Sequence, residues 1–116
     1  MTNKNKQSQK RTLENPIPIS LKEVRGMITI DPYGVYMSAK TKAPNNKALF
    51  DAGGRVFQLV FHGASPFNQD TISDTTGVVT IRDRAEPGNY RYAVAILSSS
   101  GDEVFLEADC PTIIVQ

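Results

Sequence analysis

The sequence predicts an all-β fold, an antiparallel Greek-key β-sandwich of about seven to eight strands. The clearest sign is residues 87–97, where a Pro-Gly turn leads into a strand with strictly alternating bulky side chains. Short alternating segments recur at separations of about 8–12 residues, which is typical of a sandwich or barrel. No segment shows the apolar period of about 3.6 residues that indicates a helix.

The chain of 116 residues is long enough for one domain with its own core. Residues 1–14 are predicted to form a disordered basic tail, and residues 15–116 the β-sandwich domain. Residues 1–11 carry a charge of +4 with little apolar surface to offset the cost of ordering them, whereas the rest of the chain carries −3. The composition therefore argues against nucleic acid as a partner, except through the tail.

The strands can be placed in chain order. Two prolines within Pro16–Ile19 remove backbone donors and predict an edge strand or an extended arm. Seven further strands are predicted at Met27–Asp31, Val35–Lys40, Val56–His62, Val78–Arg82, Tyr90–Leu97, Glu103–Ala108 and Thr112–Val115. Seven side chains are expected to join the two layers: Phe57, Leu59, Phe61, Tyr90, Tyr92, Val94 and Ile96.

Two long connections interrupt these strands, at 41–54 and 63–77. Within the first, residues 45–51 could form a single helical turn that Gly53 and Gly54 would end. In the second, Phe67 and Ile72 are expected to tuck into the end of the sandwich. Residues 98–102 predict a hairpin turn.

The composition also bounds the cellular context. The chain has one cysteine, Cys110, so no disulfide within the chain is possible. No apolar run approaches the roughly 20 residues that cross a bilayer, so no membrane span is expected. The lysines near the start have no apolar segment behind them, which argues against a secretory signal and predicts a cytoplasmic location.

The second half of the chain carries a family resemblance. It contains a Ser-Pro-Phe loop at 65–67, a Gly-Val-Val-Thr-Ile strand at 77–81 and a Pro-Gly-Asn-Tyr-Arg-Tyr turn and strand at 87–92. From Phe61 to Val115 this order resembles the back half of a cupredoxin-like β-sandwich. The resemblance implies the fold and not the metal: the position of the copper-ligating cysteine is Val94, and no histidine follows His62.

The same Pro-Gly-Asn-Tyr run also resembles immunoglobulin-like domains. In those domains a tyrosine near the start of one strand bonds back onto the preceding corner, and Tyr90 is the matching residue. The sequence leaves the choice between the two sandwich types open, and neither type implies a function without its site residues.

Reactive residues are sparse. His62 is the only histidine, so a metal site would need carboxylates such as Asp70, Asp74 or Asp83 to converge on it. The neighbours of Cys110 include Glu107 and Asp109, which disfavour a thiolate, so a dyad of Cys110 with His62 is not expected.

These observations predict a non-catalytic binding or structural module that acts through its loops or a sheet face on a protein partner, itself or another. No catalytic residue, cofactor or metal is assigned. The expected contact residues are Ser65, Pro66, Phe67, Asn68, Tyr33 and Tyr36. Two alternatives remain: a small hydrolase or metal-assisted enzyme that uses His62 with loop carboxylates, and a self-assembling, homo-oligomeric structural subunit.

Overall fold

A computed structural model describes residues 9–10, 15–40, 45–107 and 109–116. Over these ranges the chain forms strands and no helix, which confirms the all-β class. The strands are β1 (Gln9–Lys10), β2 (Ile17–Val24), β3 (Met27–Asp31), β4 (Gly34–Met37), β5 (Lys47–Asp51), β6 (Phe57–Phe61), β7 (Thr71–Ser73), β8 (Val79–Thr80), β9 (Gly88–Leu97), β10 (Val104–Glu107) and β11 (Thr112–Val115). Apart from Gln9 and Lys10, the predicted tail lies outside the described residues.

The strands form two sheets. The larger has the order β1-β4-β11-β9-β6-β7, with β10 also bonded to β9, and the smaller has the order β3-β2-β5-β8. The strands do not all run antiparallel as predicted, because β1 with β4, β4 with β11 and β2 with β5 are parallel pairs. These pairs join segments far apart in sequence, and the spacing of neighbouring strands carries no information about such pairings.

The core lies between the two sheets and contains the predicted side chains. Of the seven, only Tyr90 stays half-exposed; the other six are buried. Four aromatic rings pack edge-on or tilted at its centre, with centroids 5.3 to 6.1 Å apart: Phe50, Phe61, Phe67 and Tyr92. Edge-to-face packing is the favourable arrangement for such rings.

Several local predictions were wrong. Eleven strands occur in the described ranges rather than seven or eight, partly because the two expected long connections contain β5 and β7. The expected helical turn is instead β5, whose Ala48 and Phe50 alternate into the core and whose backbone bonds to β2. Long-range pairing therefore overrides the local preference of this segment. Phe67 and Ile72 are buried as predicted.

The proline-containing strand β2 lies inside its sheet, between β3 and β5, rather than at an edge. Ile17–Ser20 pairs with β5, and pairing with β3 begins only at Ser20. Pro18 therefore lies in the half of β2 that is bonded on one side only, so an internal strand tolerates its missing N–H group. No helix in the described ranges is long and apolar enough to cross a membrane.

Candidate functional site

The larger sheet presents an outer face on the side away from the core. Strands β6, β9 and β10 alternate, so every second residue points outward. The outward residues of these three strands are Gln58, Val60, Asn89, Arg91, Ala93, Ala95, Leu97, Val104 and Leu106. The strand register sets Leu106 and Gln58 on either side of Ala95. Most of this face is apolar, which is unusual for a sheet face that no other layer covers.

One end of the outer face is strongly apolar. Leu97 pairs with Val104, and its N–H group donates a hydrogen bond to the carbonyl of Val56 at 2.9 Å. Val56 is 53% exposed, Val104 61% and Leu106 72%. Three large aliphatic side chains therefore reach solvent on either side of the end of β9, one from the residue before β6 and two from β10.

The turn between β2 and β3 extends this end. Arg25 and Gly26 both have positive φ, 55° and 85°, the conformation of a tight hairpin turn that favours glycine. A Cβ atom on Gly26 would lie 3.8 Å from the ring of Phe105, so the turn rests directly on β10. The residues that flank the turn, Val24 and Met27, are paired and 53% and 74% exposed. We call Val24, Met27, Val56, Val104 and Leu106 the apolar surface.

An ion pair connects the two sheets beneath the apolar surface. Arg55 donates one hydrogen bond from Nε to the Leu97 carbonyl at 2.9 Å and one from Nη2 to Glu23 Oε1 at 3.1 Å. Glu23 also accepts the N–H of Gly26 at 2.6 Å. The Gly26 N–H bond, with help from Arg55, lowers the pKa of Glu23. Arg55 thus ties the β2–β3 turn to the outer strands.

The other end of the same face is polar. His62 follows β6, and its N–H group donates to the carbonyl of Arg91 at 3.0 Å. Cys110, at a φ of 65°, lies in the bend between β10 and β11. Its Sγ is 3.5 Å from Nε2 and 3.9 Å from Nδ1 of His62. The structure therefore joins the two residues that the sequence analysis did not expect to meet. We call His62, Arg91 and Cys110 the polar end.

The surroundings of the polar end are charged. Burial is the main cause of the raised pKa of Tyr33. The nearby charges of Glu107, Asp109 and Cys110 raise this pKa further, and Arg91 lowers it. A shallow depression of about 330 Å³ opens beside His62, lined also by Asn89 and Arg91. A thiol, an imidazole and nearby donors thus meet at an open surface.

This arrangement could support nucleophilic chemistry, because a thiol beside an imidazole is the pair that thiol hydrolases use. The polar end has fewer potential ligands than a metal site needs. The described part of the chain contains no group of three or more His, Cys, Asp or Glu side chains placed to hold an ion.

The loop predicted to bind has a structural role for most of its residues. Ser65, Pro66 and Phe67 are buried, and the Ser65 hydroxyl accepts the Phe67 N–H at 3.0 Å. The guanidinium of Arg82 donates twice to the Phe67 carbonyl, at 2.9 and 3.2 Å. Asn68 is the one exposed residue of the four.

The remaining predicted contact residues lie in two places. Asn68 lines a depression with Lys47 and Asp83 at one side of the molecule. Tyr33 and Tyr36 are half-buried around β4; the Tyr33 carbonyl accepts the Thr112 N–H at 3.1 Å, and the Tyr36 carbonyl accepts Asn45 Nδ2 at 3.1 Å. The structure does not gather the six predicted residues into one site.

The loop carboxylates have partners of their own. Asp70 lies 3.7 Å from Arg82, and Asp74 Oδ1 accepts the Phe57 N–H at 3.3 Å. Asp83 belongs to the depression beside Asn68. His62 contacts Cys110 rather than one of these three carboxylates.

The apolar surface was missed by sequence reasoning, although one signal was present. In Val104–Glu107 the aliphatic residues alternate with Phe105, so one of the two faces had to leave large side chains exposed. Comparison of the chain with protein-family models, curated proteins and solved structures gave no match. Inference about function therefore rests on these surfaces.

Proposed function

We propose that this chain is a non-catalytic binding module that holds a protein partner on its apolar surface. One observation carries the proposal. Of the seven large hydrophobic side chains exposed in the described residues, five belong to the apolar surface. Single exposed aliphatic residues are normal, but a group of them at one place indicates an interaction site.

The fold supports this function. Two packed sheets provide a rigid base, and the Arg55 ion pair fixes the β2–β3 turn against the outer strands. A pre-ordered surface loses little conformational entropy when a partner binds. Exposed aliphatic groups contribute binding free energy because the partner removes them from water.

The family resemblance belongs to the same proposal. The hydroxyl of Tyr90 donates to the Glu86 carbonyl at 2.6 Å, as the immunoglobulin-like resemblance implied for this corner. Val94, at the position that matches the copper-ligating cysteine of cupredoxins, is a buried core residue. We infer a copper-free sandwich of immunoglobulin-like or cupredoxin-like type that works in the cytoplasm.

Site-specific crosslinking tests the proposal. A photoreactive amino acid placed at Leu106 in living cells should form covalent protein adducts. The same group at Val78 should not, because Val78 is also an exposed aliphatic residue (46%) but lies next to β8, at the opposite edge of the smaller sheet from β3. Adduct formation at 106 should fall when Met27→Gln is added.

Two results would contradict the proposal: equal adduct yields at 106 and 78, or an unchanged yield at 106 after Met27→Gln. The photoreactive group at 106 and Met27→Gln both replace side chains that are largely exposed. Each change should therefore alter the free energy of unfolding by no more than about 0.5 kcal/mol. Circular dichroism and urea unfolding of each variant would verify this.

The polar end favours a second function, a small thiol hydrolase, because Cys110 Sγ and His62 Nε2 are 3.5 Å apart. In this reading His62 takes the thiol proton, and the thiolate attacks the carbonyl carbon of an ester. The leaving group receives the proton, and water hydrolyses the resulting thioester. Arg91 and Asn89, which line the adjacent depression, are the available donors for the oxyanion.

Hydrolysis of p-nitrophenyl esters separates the two functions. A hydrolase should lose turnover with Cys110→Ser and with His62→Gln, and should keep it with Leu106→Gln. A binding module should show no turnover above that of the Cys110→Ser variant. The crosslinking result at Leu106 is independent of this assay.

A further inference from the structure

We propose that the partner on the apolar surface is a second copy of this chain, bound through a two-fold symmetric contact. The inference rests on the proposed function and names its partner. Charged side chains of opposite sign lie on the two sides of the apolar surface.

Basic side chains lie on the side of the apolar surface that the smaller sheet contributes. Lys22 and Arg25 are both exposed there, on β2 and in the β2–β3 turn. Lys22 alternates with Glu23, so it points outward on the same face as Val24. This side therefore presents two positive charges next to Val24 and Met27.

Acidic side chains lie on the side that the larger sheet contributes. Asp102 and Glu103 are exposed in the β9–β10 turn, directly before Val104. The Ser100 and Ser98 hydroxyls donate hydrogen bonds to Asp102 and lower its pKa. This side presents two negative charges at the same end of the molecule.

Strand β3 of the smaller sheet lies beside β10 of the larger sheet. A two-fold axis that runs along the boundary between these two strands brings the basic and acidic sides together. Two-fold rotation about this axis turns the second copy over, so that its left side faces the right side of the first copy. Corresponding ends of the strands stay next to each other. The basic side of one copy then lies over the acidic side of the other, and the aliphatic side chains meet in the middle. Each contact occurs twice, as in all isologous interfaces.

The size of the surface limits the strength of the dimer. The apolar surface has five large side chains, whereas a standard interface has about 20–30 residues on each side. Standard interfaces bury about 800 Å² on each partner. The dimer is therefore weak, with a dissociation constant in the micromolar to millimolar range rather than the nanomolar range.

Sedimentation of the full chain from about 1 µM to about 1 mM tests the inference. The expected result is a mass that rises from one chain towards two and no further. Leu106→Gln should weaken association by about tenfold or more, because it places a polar group at the centre of the contact. Val78→Gln is the matched control and should leave association unchanged.

Charge reversal tests the orientation. Lys22→Glu and Glu103→Lys should each weaken association, because each places like charges opposite one another in the dimer. The double variant should recover most of the association, since both contacts are restored with their signs exchanged. Added salt should weaken association of the unmodified chain.

A mass of one chain at every concentration would overturn the inference, and so would growth beyond two copies. Failure of the double variant to recover would overturn the two-fold orientation. The crosslinked product from position 106 separates the two proposals. A product of twice the chain mass supports both; a product with a different protein keeps the proposed function and rejects the second copy; an absence of product rejects both.

Discussion

The two ends of the outer face use the same strands and have opposite chemistry. At the apolar surface, β9 and β10 present aliphatic side chains to solvent; at the polar end, the strand ends bring together His62, Arg91 and Cys110. The regular alternation along the strands is the same at both ends. The sheet therefore positions the side chains, and the residues at strand ends and bends decide what each end can do.

The ends also differ in how they are held. Backbone bonds fix the polar end: Tyr92 N donates to the Pro111 carbonyl at 3.0 Å, and Thr112 N to the Tyr33 carbonyl at 3.1 Å. At the apolar surface, side-chain bonds from Arg55 add to the backbone bonds of the strands and tie the β2–β3 turn to them. Backbone bonds survive most substitutions, whereas the Arg55 bonds depend on two particular side chains. The apolar surface should therefore be the more sensitive end to single changes of charge.

The core below the two ends should give the largest effect. Phe67→Ala should lower the free energy of unfolding by about 3–5 kcal/mol, because the ring is fully buried against Phe50 and Phe61. Phe105→Ala, below the apolar surface, should cost about half as much because Phe105 is half-exposed. Urea unfolding measures both.

Asn68→Ala is the control for this pair and should change stability by less than about 0.5 kcal/mol, since Asn68 is exposed. A Phe105→Ala variant as unstable as Phe67→Ala would show that Phe105 packs as tightly as the centre of the core, contrary to its half-exposed position.

A smaller effect is expected beside the polar end. Tyr90→Phe removes the hydrogen bond to the Glu86 carbonyl and should cost about 0.5–1.5 kcal/mol in urea unfolding. Glu86→Ala is its control: the acceptor is the backbone carbonyl, so stability should stay within about 0.5 kcal/mol. Equal losses in the two variants would mean that the Glu86 side chain, not the tyrosine corner, holds this turn.

The smallest effect concerns pH at the apolar surface. The pKa of Glu23 is lowered in the folded chain, so its stabilising bonds are present above the ordinary glutamate pKa and lost as pH falls through the lowered value. The difference in urea midpoint between the unmodified chain and Glu23→Gln should have its largest value above about pH 5. This difference should decrease below about pH 4.

Arg55→Met provides a comparison for the pH effect, because it leaves the Gly26 N–H bond in place. This bond is the larger cause of the lowered pKa, so the pH-dependent gap should shrink in the Arg55→Met background and still be measurable. A gap that vanishes entirely would assign the effect to Arg55 instead.

Most of the core residues could be predicted from the alternation of bulky and small or polar side chains in the sequence. Phe57, Leu59 and Phe61 face inward because successive side chains of a strand point to opposite faces, and the sequence repeats bulky groups at every second residue. Strand β3 and strand β11 likewise have the predicted bounds. These features depend only on near neighbours in the chain, which a single sequence displays.

Which distant segments meet depends on how the two sheets pack, and the sequence does not display it. The parallel pairing of β2 with β5, the meeting of Cys110 with His62, and the contact of Gly26 with Phe105 join residues 30 or more positions apart. Alternation says which face of a strand is buried and leaves its partner strand open. The pairing of strands within the two sheets and the packing of one sheet on the other fix these partners. The same long-range contacts form the apolar surface and the polar end.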